Sequence, residues 1–136
     1  MNSGRWILAL IAIALMPLSS ALGREVAVGI EADRTQMTLT TGDVLEVRLP
    51  GNRTTGYLWE MNLPKSGKHP LTLVEQGTVG VEGSDGSPKV GAPGLERFLF
   101  KAIHTGKQVL LFRYRRPWEK QPPARTFELR VRIIAP

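Results

Sequence analysis

The sequence predicts an all-β fold, an antiparallel β-sandwich preceded by a signal peptide. Three observations carry this. Short segments alternate strictly between apolar and polar residues, as half-buried strands do. Glycine and proline turns punctuate them at short intervals. No window sustains a helical period, and no internal repeat is visible. Such strands bury their apolar faces by packing two sheets together.

The elements follow in order. Val26 to Ile30 and Thr35 to Leu39 read as short strands, and Thr41-Gly42-Asp43 as a turn. Val44 to Leu49 alternates, with Leu45, Val47 and Leu49 on one face and Glu46 and Arg48 on the other. Pro50-Gly51 ends it, and a loop from Asn52 to Gly56 follows. Tyr57 to Met61 is the next strand, with Tyr57, Trp59 and Met61 inward. Asn62 to Pro70 is a polar connection, and Leu71 to Val81 an extended run interrupted by Gly77 and Gly80. Gly83 to Pro88 is flexible by composition, and the stretch through Gly94 is the longest irregular segment of the chain. Arg97 to Ala102 points Phe98, Phe100 and Ala102 inward, and Thr105-Gly106 is a hairpin-type turn. Gln108 to Tyr114 directs Leu110, Phe112 and Tyr114 to one side. Arg115 to Ala124 is a proline-rich loop. Thr126 to Ile134 closes the domain with Phe127, Leu129, Val131 and Ile133 inward. Each buried aromatic contributes roughly 2–3 kcal/mol, sufficient to hold one small domain.

The first residues stand apart from this pattern. Arg5 supplies a positive start, Trp6 to Met16 is apolar and uncharged, and Pro17, Ser19, Ser20 and Ala21 precede the first acidic group, Glu25. This is the layout of a secretory signal peptide, with cleavage after Ala21 or Gly23. The apolar run is too short to span a bilayer comfortably, so no stable membrane insertion is expected after cleavage. The division is residues 1–23 as leader and 24–136 as the domain, of about 115 residues, ordinary for a sandwich. Of the 136 residues none is cysteine. An exported domain without disulfides relies on its core, which points to a bacterial periplasm or to an acidic or reducing destination; the expected location is periplasmic or secreted. The lack of cysteine also excludes a thiol nucleophile and thiolate metal sites.

The net charge is +6, from 18 Lys and Arg against 12 Asp and Glu. The basic residues are scattered, apart from Arg113, Arg115 and Arg116. Nucleic-acid binding calls for a basic stripe interleaved with aromatics, so no nucleic-acid partner is expected. The charge fits solubility and steering toward an acidic partner. Of the two histidines, His104 abuts a turn and His69 precedes a proline, and neither has the partners of a triad or a metal site. The chain reads as a non-enzyme with no cofactor and no metal.

Three loops carry distinctive chemistry. In Asn52-Arg53-Thr54-Thr55-Gly56-Tyr57, Gly56 permits a turn that other residues resist, the threonines are stiff, and Asn52 can bond its own backbone. This is either a rigid presenting tip or a routine strand connection. Asn52-Arg53-Thr54 also matches a glycosylation sequon. In Gly91-Ala92-Pro93-Gly94 the glycines expose backbone groups to which an extended partner could pair; simple turn chemistry is the other reading. In Arg116-Pro117-Trp118 the proline fixes local geometry and places Trp118 in a polar loop outside any alternating run. An exposed Trp beside Arg has the composition of an interface hot spot. Otherwise Trp118 folds back onto its own sandwich.

Taken together and in this order, the three segments resemble the chagasin-like inhibitors of papain-type cysteine peptidases, over nearly the whole chain from about Val26 to Ile134. The resemblance implies three loops aligned at one end of an immunoglobulin-like sandwich. It implies a monomeric, reversible and competitive inhibitor that occludes the peptidase cleft. Thr54 and Thr55 would enter near the catalytic Cys, the glycine-rich loop would pair along the substrate-binding rim, and Trp118 would rest on the far side, with Arg116 making polar contacts. Two positions depart from the family pattern: Arg53 stands where Pro is usual, and Pro93 replaces a glycine and removes an N–H donor. A different class, an exported immunoglobulin-like adhesion or carbohydrate-binding module, would stack a ligand on Trp118 and Tyr114.

Overall fold

The computed structural model describes residues 23–63, 68–80 and 94–136. Eight strands form two four-stranded sheets. They are β1 (Glu25–Val28), β2 (Thr35–Thr40), β3 (Val44–Gly51), β4 (Leu58–Met61), β5 (Leu71–Val79), β6 (Gly94–Ala102), β7 (Gly106–Arg115) and β8 (Arg125–Ile134). One sheet has the order β1-β3-β6-β5 and the other β2-β8-β7-β4. The all-β sandwich expected from the alternation is the fold found. The central pairings are antiparallel, whereas the edge strands β1 and β2 run parallel to β3 and β8. No helix among the described residues is long and apolar enough to cross a membrane. The leader positions 1–22 lie outside the described residues.

The inward rows are the apolar rows of the sequence. Leu45, Val47 and Leu49 of β3 face Leu129, Val131 and Ile133 of β8 through a core that also takes Trp59, Phe98, Phe100, Leu110, Phe112 and Phe127, all buried. Phe112 is the hub of the aromatic packing, edge-on to Phe98 at 4.8 Å, to Phe127 at 5.7 Å and to Phe100 at 6.3 Å between centroids, the arrangement that ring quadrupoles favour. Tyr57, Met61 and Tyr114, expected inward, are half-buried at the rim of this core.

Buried charge is placed at strand ends. Asp43 closes the β2–β3 turn by accepting from the N–H groups of Arg24 and Thr40 at 2.9 and 2.8 Å. On the outer face of the first sheet Glu46 takes the guanidinium groups of both Arg48 and Arg97, and Arg97 also reaches Glu75 at 2.8 Å. The Arg48 hydrogen bond, followed by that of Arg97, holds the Glu46 carboxyl below its ordinary value against the opposing effect of burial.

Several strands begin or end away from their expected limits, among them β1, which ends at Val28 before a 3-10 turn at Ile30–Ala32, and β4, which starts at Leu58 rather than Tyr57. β6 starts at Gly94, three residues before Arg97, because Gly94, Leu95 and Glu96 continue the ladder opposite Gly51, Pro50 and Leu49. β5 ends at Val79 and shifts register between Leu73 and Glu75, a bulge that leaves Val74 exposed.

Candidate functional site

The pole of the sandwich is set by strand register. Gly51, the last residue of β3, pairs with Gly94, the first of β6, and Leu58 of β4 pairs with Arg115, the last of β7. The segment 52–57, the chain entering Gly94 and the segment 116–124 therefore all emerge at one end. Gly91, Ala92 and Pro93 lie outside the described residues. Gly94 itself starts a strand, and a Cβ there would come 3.0 Å from the carbonyl oxygen of Val79, so the ends of β5 and β6 approach closely.

The first loop is built by its own side chains. Arg53–Thr55 forms one 3-10 turn with Asn52 as its cap. The Asn52 side-chain oxygen accepts from the Thr54 N–H at 3.1 Å and from the Thr54 hydroxyl. The Thr55 hydroxyl donates to the Asn52 carbonyl at 2.6 Å. Gly56 ends the turn in the left-handed conformation at φ 82°, which costs a residue with a Cβ more than it costs glycine. Arg53, Thr54 and Thr55 are exposed. The loop is a tip, not a loose connection.

The Arg-Pro-Trp loop leans on that tip. Pro117 and Trp118 occupy the centre of a turn closed by the Glu119 N–H donating to the Arg116 carbonyl at 3.1 Å, where proline is pre-set for the first central position. Arg116 Nε donates to the Thr55 carbonyl at 2.9 Å, its guanidinium lies 4.5 Å from the Tyr57 ring centroid, and Nη1 bonds Glu119 at 3.0 Å. The Glu119 hydrogen bond holds the Arg116 guanidinium still more firmly protonated. Trp118 is 69% exposed while its ring edge covers Gly56. It has not folded into the core.

Glu119 and Glu96 were not singled out in the sequence, and Tyr114 takes a place other than the ligand platform of the alternative reading. The Tyr114 hydroxyl accepts from the Asn52 N–H at 3.1 Å, and its ring is packed by Tyr57 at 5.2 Å and Trp59 at 4.9 Å. That packing engages the ring which the carbohydrate-binding alternative requires as a platform beside Trp118. Glu119 braces both arginines, through Nη1 of Arg116 and through its carbonyl to Arg115 at 2.6 Å. Glu96 is a buried carboxylate beneath the first loop, accepting from the Trp59 N–H at 2.9 Å and facing Arg53 at 3.4 Å. A charged residue on the inward parity of Phe98 and Phe100 was the available signal.

Known proteins share the family and the fold. A model of the family described as chagasin family peptidase inhibitor I42 matches residues 38–131. Amoebiasin-1 of Entamoeba histolytica is 29% identical over 102 residues, 74% of this chain and 92% of that protein. Chagasin of Trypanosoma cruzi is 30% identical over 84 residues, 60% of this chain and 73% of that protein. Among solved structures, the cysteine protease inhibitor EhICP2 of Entamoeba histolytica superposes with a TM-score of 0.71 at 22% identity, over 82% of this chain and 96% of that one. PbICP-C, solved in complex with falcipain-2, gives a TM-score of 0.50 at 22% identity, over 82% and 100%. The sandwich and a family match that runs from within β2 to within β8 converge: the chain belongs to the chagasin family of peptidase inhibitors.

Proposed function

We propose that the protein is a reversible, competitive inhibitor of papain-like cysteine peptidases that occludes the active-site cleft with the loops at this pole. The observation that carries the reading is the mutual bracing of two loops distant in sequence, Arg116 on the Thr55 carbonyl and Trp118 over Gly56. Loops held in place before docking lose little entropy on binding. Asn52, Arg53, Thr54, Thr55, Gly56 and Tyr57 form the wedge that enters the cleft, with Thr54 and Thr55 nearest the catalytic Cys. Gly91, Ala92, Pro93 and Gly94 pair along the rim. Arg116, Pro117 and Trp118 grip the far side.

No bond is made or broken in this mode, and a chain without cysteine cannot exchange with the reactive thiol of its target. A contact of about 800 Å² per partner is typical for such a complex. The protein acts as a monomer, exported to the periplasm or beyond after loss of a leader ending at Ala21 or Gly23. The test is a titration of papain with the processed protein while substrate concentration is varied. Competitive inhibition supports the reading, and full peptidase activity at micromolar inhibitor rejects it.

A further inference from the structure

Glu96 occupies a position that an apolar side chain could fill. It continues the inward row of Phe98 and Phe100, its side chain is 4% exposed, and its Oε2 lies 3.2 Å from where a Cβ on Gly51 would stand. A carboxylate in such surroundings is costly unless it is paired and hydrogen-bonded. Burial pushes its pKa up, against the Trp59 N–H and the Arg53 guanidinium, which favour the charged form. Holding the Trp59 N–H requires only an acceptor, which an uncharged glutamine would also provide. Among the described residues, the cation within salt-bridge distance of Glu96 is Arg53, which belongs to the exposed tip.

We propose that Glu96 is a positioning residue for inhibition: its buried carboxylate tethers Arg53 and thereby fixes the tip bearing Thr54 and Thr55 in its docking pose. This rests on the inhibitory reading of the pole. A side-chain tether from the exposed tip to the buried carboxylate restrains the tip against the sandwich. The charge of Glu96 thus serves the loop rather than the core.

The experiment is a double-mutant cycle on the full chain against papain, with Glu96→Gln, Arg53→Met and the pair, reading the inhibition constant and the dissociation rate. Glutamine keeps the acceptor for the Trp59 N–H and the volume. Each single change is expected to weaken inhibition by up to about fivefold, the scale of a partly exposed ion pair, mainly through faster dissociation. The pair is expected to be no worse than either single change, with the melting temperature of Glu96→Gln undiminished at neutral pH. Effects that multiply in the pair toward about twenty-fivefold, or a Glu96→Gln protein as potent as the parent, overturn the proposal. Should Glu96→Gln not fold, amide hydrogen exchange at Thr54, Thr55 and Gly56 in Arg53→Met decides: accelerated exchange supports the tether, and unchanged exchange overturns it. If the parent does not inhibit papain at all, the reading of the pole fails, and the tether is decided by amide hydrogen exchange at Thr54, Thr55 and Gly56. Exchange accelerated equally by Glu96→Gln and Arg53→Met supports it; exchange unchanged by both overturns it.

Discussion

The indole of Trp118 lies on Gly56, so closely that a Cβ at Gly56 would fall 2.4 Å from Cη2 of the ring. Residues from two loops thereby fix one another at the pole of the sandwich. The glycine serves twice, by adopting φ 82° and by leaving room for the ring.

Gly56→Ala is therefore expected to act on both. The left-handed conformation costs about 1–2 kcal/mol for a residue with a Cβ, and the ring must also move. Thermal unfolding should show that loss, and papain inhibition should weaken by more than the change in stability accounts for.

Trp118→Ala separates binding from folding. With 69% of the residue exposed, its truncation should change stability by no more than about 0.5 kcal/mol, while a hot-spot aromatic contributes about 2 kcal/mol or more to binding. Parallel melting and inhibition measurements check this. An unfolded Trp118→Ala protein would place the ring in the core instead.

Tyr114→Phe removes the hydroxyl that accepts from the Asn52 N–H while keeping the ring between Tyr57 and Trp59. A loss of about 1 kcal/mol is expected for the hydrogen bond, read by chemical denaturation, with faster amide exchange at Asn52.

Two carboxylates should give opposite pH signatures. The pKa of Glu46 is lowered, chiefly by its Arg48 hydrogen bond and further by Arg97, so its contribution is present above the unfolded-state value and lost as pH falls through the folded one. Glu46→Gln should be less stable than the parent by about 1 kcal/mol at neutral pH, and the difference should vanish in acid. The pKa of Glu96 is raised, first by burial, so ionisation costs stability as pH rises through the folded value. Glu96→Gln should be at least as stable as the parent at neutral pH and lose that advantage as pH falls. Melting curves of both variants across the acidic range check the two signs.

Most of the scaffold could be read from residue order. Alternation alone located the inward rows from Leu45 to Ile133, because a half-buried strand leaves a period of two. The parallel pairing of β1 and β2 with β3 and β8 could not be read, since strand direction at an edge depends on tertiary placement rather than on local pattern. The start of β6 was misplaced because Glu96 breaks the apolar row, and that break is itself the trace of the loop-facing carboxylate. Within the candidate site, Asn52, Gly56 and Trp118 announced themselves by residue type. The roles of Tyr114 and Glu96 did not, because their partners Asn52 and Arg53 lie 62 and 43 residues away in the chain.

Papain inhibition decides whether this pole blocks a peptidase cleft. A titration of papain with the processed protein at several substrate concentrations tests it most directly. Occlusion by this pole entails one inhibitor per active enzyme, apparent affinity that weakens in proportion to substrate, and peptidase activity that returns on dilution. Undiminished papain activity at micromolar protein, or inhibition indifferent to substrate concentration, would contradict it.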